Sequence, residues 1–218
     1  MGYNVAIDGP AGAGKSTIAK FVAKEKGYIY VDTGAMYRGM AIHFLDKGIR
    51  AKETDKIISA LKDAEVTIRY EEGLQQVYLN GRNITDRLRE EEVGKMASLT
   101  SAIPQVRQKL LELQKGLART QDVIMDGRDI GTCVLPDADV KIYLTASVET
   151  RAKRRYDELT EKGIACDLDE IERDIKERDE RDSTREIAPL KQAEDAVLVD
   201  SSHMTIDEVV AAIVKLCR

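Results

Sequence analysis

Residues Gly9 to Thr17 read Gly-Pro-Ala-Gly-Ala-Gly-Lys-Ser-Thr, directly after the apolar run Val5-Ala6-Ile7 and directly before Ile18, Phe21 and Val22 at helical spacing. The pattern G-x-x-x-x-G-K-[ST], with a strand before it and a helix after it, is that of a phosphate-binding loop. Gly9, Gly12 and Gly14 let consecutive backbone N–H groups converge on phosphate oxygens at a helix N-terminus, with Pro10, Ala11 and Ala13 between them. Lys15 then reaches the β- and γ-phosphates, and Ser16, ahead of Thr17, offers its hydroxyl to Mg²⁺. ATP and Mg²⁺ are thus the expected donor and cofactor.

Outward from this loop, the helical spacing stops at Gly27, and Tyr28 to Val31 reads as a buried strand. A second loop, Asp32 to Arg38, opens a helix whose apolar side carries Tyr37, Met40, Ala41, Phe44 and Leu45. Strand, loop, helix repeated in this way implies an α/β fold, a parallel sheet flanked by helices with ligands at the carboxyl ends of the strands. The texture then changes. After a helix from about Thr54 to Asp63, Val66, Ile68 and Tyr70 alternate with polar residues, Val77 and Leu79 do so again, and Asn80-Gly81 is a hairpin turn. Residues 39–97 are therefore expected to be an inserted subdomain with a small antiparallel sheet, and residues 1–38 and 98–218 the core.

In that second part, Pro104 suits the first turn of a helix carrying Val106, Leu110, Leu113 and Leu117. Val123-Ile124-Met125, Val140 to Leu144 and Ala196 to Val199 read as strands, and Val148 to Gly163 as a helix. Asp167 with Glu170 resembles a capping box for a helix running to about Arg185, and Thr205 with Glu208 forms a better one for the last helix.

Composition narrows the function. At 218 residues the chain is one large domain or one with an insert, and 43% apolar with 33% charged residues is ordinary for a soluble protein. No run approaches the ~18 apolar residues of a membrane span, and no signal-type segment is legible, so the cytoplasm is the expected compartment. Cys133, Cys166 and Cys217 lack metal-ligand spacing, and His43 and His203 are too few for a zinc constellation. A net charge of -5 speaks against non-specific nucleic-acid binding. Neither Asn-Lys-x-Asp nor Asp-x-x-Gly occurs, which leaves ATP-dependent phosphoryl transfer or hydrolysis.

Asp126 ends an apolar strand, where a carboxylate can hold Mg²⁺ through its waters. Arg38, Arg107 and Arg128 follow strand-to-loop or early-helix positions, and Arg178, Asp182 and Arg185 fall on one helix face. Surface ion pairs on a solvated helix give the same pattern. With Arg154 and Arg155 added, the excess of guanidinium groups favours gripping phosphate. A phosphate-monoester acceptor, whose second pKa is about 6, needs no protein base, so arginines without a dedicated base suit a nucleoside monophosphate. A hydroxyl acceptor would use Asp32 as base, which keeps a small-metabolite kinase open, and a non-catalytic nucleotide-binding module is the alternative of another class.

GPAGAGKST, Asp32 to Arg38 (DTGAMYR), Asp126 to Thr132 (DGRDIGT) and Lys176 to Arg185 (KERDERDSTR) together resemble the bacterial cytidylate kinases over essentially the whole chain. The resemblance implies ATP-dependent phosphorylation of CMP and dCMP in pyrimidine metabolism, a P-loop core with an inserted monophosphate-binding subdomain, and a short helical lid at about 154–170. It implies acceptor-phosphate contacts from Arg38, Arg128 and Arg185, sugar contacts from Arg178 and Asp182, and cytosine contacts from Ser98, Arg107 and Asp129. Lys15, Arg128, Arg154 and Arg155 are the implied catalytic set, with the two lid arginines over the transferring group. Thr33 stands where the family often has Ser, which keeps the hydroxyl of a sugar or base contact and adds a methyl. Small-molecule substrates, no nucleic acid, no membrane and a monomer complete the expectation.

Overall fold

The structure, a computed structural model, describes residues 2–218. Among these the strands are β1 (Asn4–Asp8), β2 (Ile29–Asp32), β3 (Val66–Glu71), β4 (Leu74–Leu79), β5 (Arg82–Asn83), β6 (Val123–Gly127), β7 (Val140–Thr145) and β8 (Val197–Asp200). The helices are α1 (Lys15–Lys26), α2 (Thr33–Asp46), α3 (Thr54–Ala60), α4 (Glu91–Thr100), α5 (Pro104–Thr120), α6 (Val148–Glu161), α7 (Leu168–Thr184) and α8 (Ile206–Val214). The chain divides into two units, Val31–Gln121 and Tyr3–Tyr30 with Asp122–Arg218.

A five-stranded sheet has the order β2-β6-β1-β7-β8, and the second unit holds all of it but Val31 and Asp32 at the end of β2. Its apolar strands build the core. Val5, Ile7, Ile124, Ile142, Leu144 and Val199 cluster with Ile18, Ala19 and Val22 of α1 and with Val209, Val210 and Ile213 of α8. Each such large side chain removed from water stabilises the fold by roughly 1.5–3 kcal/mol. The capping box expected at the start of the last helix is present, with the Thr205 hydroxyl and the Glu208 carboxylate each accepting the other residue's backbone N–H. β1 pairs in parallel with β6 and β7, and β7 with β8. Because the β1–β6 register sets Asp8 opposite Gly127, the loops that leave these two strands emerge side by side at one edge of the sheet.

The other unit is built on α2. β3 and β4 pair antiparallel from Val66↔Leu79 to Glu71↔Leu74, and β5 adds a third strand after the Asn80-Gly81 turn, where both residues have positive φ. α2 packs against β3, β4, α4 and α5. Gly39 permits the approach to the sheet, since a Cβ there would lie 3.3 Å from Val77 and 3.5 Å from both Val66 and Ile84.

The unit of residues 31–121 takes in more of the chain than the expected insert of residues 39–97, since the start of α2, with Met36, and the helix α5 fall within it. The helix expected over 54–63 ends at Ala60 and tightens into a 3₁₀ turn over Leu61–Asp63. Among the described residues, no helix is long and apolar enough to cross a membrane.

Candidate functional site

The loop after β1 has the backbone its glycines allow. Gly9 sits at φ 151°, and a Cβ there would fall 1.9 Å from the Leu144 carbonyl oxygen, so no other residue fits without moving β7. Gly14 takes the N-cap of α1 at φ 87° and contributes no side chain to cap it, which leaves the first turn of the helix to an anion. Lys15 opens α1 and is buried, with its Nζ donating to the Pro10 carbonyl at 2.7 Å. Burial, followed by the neighbouring positive charge of Arg128, pushes its ammonium well below the usual lysine range, while Asp126 and Asp8 act in the opposite sense.

Ser16 Oγ donates to Asp126 Oδ2 at 2.9 Å, and the Tyr30 hydroxyl donates to the other oxygen of the same carboxylate at 2.8 Å. Strand β6 thus brings Asp126 to Ser16, as the sequence implies, while Tyr30 is an unanticipated partner. Two oxygen donors of this kind suit Mg²⁺, which keeps several waters and takes one or two protein groups.

Beyond β6 the arginines are arranged in pairs with carboxylates. Arg128 Nε donates to Asp182 Oδ2 at 2.8 Å, and Arg185 Nη2 lies 3.4 Å from Asp129 Oδ1 while its Nε donates to the Ala188 carbonyl at 2.7 Å. Asp129, Asp182 and the Arg185 side chain are all but excluded from solvent. The alternative of a solvated ion-paired helix therefore does not describe this face of α7. Arg178 stands on the same helix and adds its charge to that felt by Lys15.

Arg154 donates to the Ser201 carbonyl at 2.7 Å and to its hydroxyl at 3.3 Å, and Arg155 bridges to Glu158 on the exposed side at 2.9 Å. Neither reaches the phosphate loop. Arg151, to which the sequence assigns no role, does: it is buried, and its Nη1 donates to the Ala11 carbonyl at 3.0 Å and to Asp179 Oδ2 at 2.6 Å. Asp179 in turn accepts the Ala11 N–H at 3.4 Å. Nothing local in the sequence signals this clamp, since Arg151 and Ala11 are 140 positions apart.

In the unit of residues 31–121, Asp32 is the N-cap of α2, its Oδ1 accepting the Ala35 N–H at 2.9 Å. Thr33 follows it, buried, and the Arg38 guanidinium lies beside Gly34 in the first turn. Gln75 of β4 holds Asp32 through both backbone groups, accepting its N–H at 2.9 Å and donating to its carbonyl at 3.1 Å. The antiparallel sheet therefore braces the start of α2. On α4 and α5, Ser98 and Arg107 come together around Ser101: its hydroxyl donates to the Ser98 carbonyl at 2.9 Å, and Arg107 donates to its carbonyl at 3.2 Å. The Arg107 guanidinium also stands 5.6 Å from the centre of the Tyr37 ring, a cation–π contact the sequence does not announce.

A glycine loop at the carboxyl edge of a parallel sheet, with its lysine, a hydroxyl–carboxylate pair and arginines paired with carboxylates, defines a P-loop nucleotide-binding protein. A family model described as cytidylate kinase matches residues 5–218. Among curated relatives, the cytidylate kinase of Caldicellulosiruptor saccharolyticus is 50% identical, covering 98% of this chain and 94% of that one. That of Shouchella clausii is 48% identical over 100% of this chain and 96% of its own length. A crystal structure of an uncharacterized protein from Eubacterium ventriosum superposes with a TM-score of 0.54 at 13% identity, covering 98% and 96% of the two chains, a likeness of fold alone. The chain belongs to the cytidylate kinase family.

Proposed function

We infer that the protein transfers the γ-phosphoryl group of ATP to CMP and dCMP, giving ADP with CDP or dCDP. The observation that carries this reading is the pair of arginine–carboxylate bridges at Arg128 and Arg185 in a unit that also carries the phosphate loop, in a chain of this family. Guanidinium groups held by carboxylates at fixed positions are preorganised to take a phosphate monoester bidentately. The acceptor's own dianion then acts as nucleophile, so no protein base is needed. In support, Asp32, the base that a hydroxyl acceptor would require, has an oxygen committed to capping α2.

In this reading the backbone of Gly9 to Thr17 cradles the donor, and Lys15 neutralises charge on the β- and γ-phosphates. Ser16, with Asp126 through water, would hold Mg²⁺, which when bound screens charge between the same phosphates. Arg38, Arg128 and Arg185 grip the acceptor phosphate, and Arg178 and Asp182 the sugar, with Thr33 contributing a hydroxyl. Ser98, Arg107 and Asp129 read cytosine, whose exocyclic amine needs an acceptor and whose N3 and O2 need donors. Uracil reverses that edge and would set its O4 against a carboxylate. The segment 154–170 acts as the lid. Arg155, whose exposed bridge to Glu158 contributes at most ~1 kcal/mol, can leave it at little cost, and closure excludes water that would otherwise hydrolyse ATP. The protein works as a cytoplasmic monomer on small-molecule substrates, without nucleic acid or membrane.

The test is a coupled ADP-release assay with Mg-ATP against CMP, dCMP, UMP, AMP, GMP and no acceptor. Turnover confined largely to CMP and dCMP is expected. Activity with none of the acceptors would overturn the monophosphate-kinase reading.

A further inference from the structure

The turn that follows β6 is capped from an unusual place. Residues Ile130–Val134 form a single π-helical turn with Asp129 at its N-cap position. Aspartate there normally accepts one of the turn's first N–H groups. Among the described residues Asp129 makes no such bond, and its carboxylate lies toward Arg185 instead. The role has passed to Asp8 at the end of β1, whose Oδ1 accepts the Ile130 N–H at 2.8 Å and whose Oδ2 accepts the Gly131 N–H at 2.7 Å. Both bonds are buried and join residues 122 and 123 positions apart.

We propose that Asp8 is a positioning residue for the acceptor: by capping the turn after β6 in place of Asp129, it fixes the backbone from which Arg128 and Asp129 project. The proposal rests on the reading of Arg128 and Asp129 as acceptor contacts. Three features support it. The β1–β6 register pairs Asp8 with Gly127, so the carboxylate is anchored on the strand next to the segment it holds. Two N–H donors face two carboxylate oxygens, a demand that Asn, with one acceptor and one NH₂ group, cannot meet. Space on the far side is closed as well, since a Cβ on Gly131 would meet Lys141 Cδ at 3.1 Å and Asp8 Oδ2 at 3.4 Å. Burial pushes the Asp8 carboxyl up to about 6, so above that pH the fold maintains a buried carboxylate at a cost.

The experiment compares Asp8→Asn, Gly131→Ala and Asp129→Asn with the parent in steady-state kinetics at pH 8, where CMP is a dianion. Asp8→Asn is expected to raise the CMP KM about tenfold and to reduce the CMP-over-UMP ratio, as loss of one buried charge-assisted hydrogen bond does, with the ATP KM within about twofold. Gly131→Ala disturbs the same contact with Asp8 in place and is expected to shift both quantities in the same direction. It also carries the test if Asp8→Asn does not fold. An ATP KM that rises as much as the CMP KM would overturn the proposal, because Asp8 would then act through the adjoining phosphate loop. An unchanged CMP KM and CMP-over-UMP ratio in both variants would also overturn it. If Asp129→Asn leaves the CMP-over-UMP ratio unchanged, the failure lies in the underlying reading of Asp129; if Asp129→Asn lowers it and Asp8→Asn does not, the failure lies in the proposed role of Asp8.

Discussion

Arg128 commits its Nε–H to Asp182, and the side chain of Asp182 is only 6% exposed. Arg128→Ala therefore removes two things, the fork that would take the acceptor phosphate and the counter-charge of a buried carboxylate. Turnover efficiency with CMP is expected to fall by about 10²–10³, while ATP binding, followed by a fluorescent ATP analogue, stays within about twofold. Unchanged CMP kinetics would remove Arg128 from the acceptor site. Asp8 makes a different prediction. Its folded pKa of about 6 lies above the unfolded value of 3.8, so the neutral carboxyl is the form the fold prefers. Its contribution to stability is complete below pH 3.8 and is lost as pH rises to 6 and beyond. The stability of the parent minus that of Asp8→Asn, from urea unfolding at each pH, should fall across this window by on the order of 3 kcal/mol. A flat or rising difference would contradict it. These residues also mark where sequence legibility ends. Lys15 and Ser16 sit in one local pattern, and Asp126 ends an apolar run, so all three can be found by spacing. Asp8 and Arg151 meet their partners 122 and 140 positions away, and only the β-sheet register and helix packing bring them together.

The elements themselves were mostly legible, because apolar periodicity and turn residues are local. β3, β4 and the Asn80-Gly81 hairpin follow from alternation and a type of turn that needs positive φ. What alternation does not reveal is what the small sheet is for, since that depends on one polar residue, Gln75, meeting the backbone of Asp32 43 positions away. That contact makes β4 a brace for α2, the helix whose first turns carry Thr33 and Arg38. Gln75→Ala leaves the Asp32 N–H and carbonyl without this partner and is expected to cost about 1–2 kcal/mol in stability. It should also raise the CMP KM several-fold with little change in the ATP KM, because the phosphate loop belongs to the other unit. Stability loss with the CMP KM unchanged would mean that the sheet supports the fold of its own unit and not the placement of Arg38.

At the scale of the whole chain, the division into units was the hardest feature to read. The change from alternating strands to helices suggests a boundary near Ser98, yet α4 and α5 both pack on α2, so the unit extends to Gln121. A boundary is a property of packing between distant faces, and no local composition shift marks it here. The proposed substrates give a measurement that acts on the whole molecule at once. A ligand that binds only the folded state at 100 times its Kd adds about 2.7 kcal/mol, and a protein of this size gains roughly 2–4 °C in Tm per kcal/mol. CMP at that saturation should therefore raise Tm by about 5–11 °C, and Mg-ATP should do so separately. UMP at the same concentration should raise it by several degrees less, because tenfold weaker binding lowers the added stability by about 1.3 kcal/mol. Equal shifts from CMP and UMP would show that Ser98, Arg107 and Asp129 do not read the base.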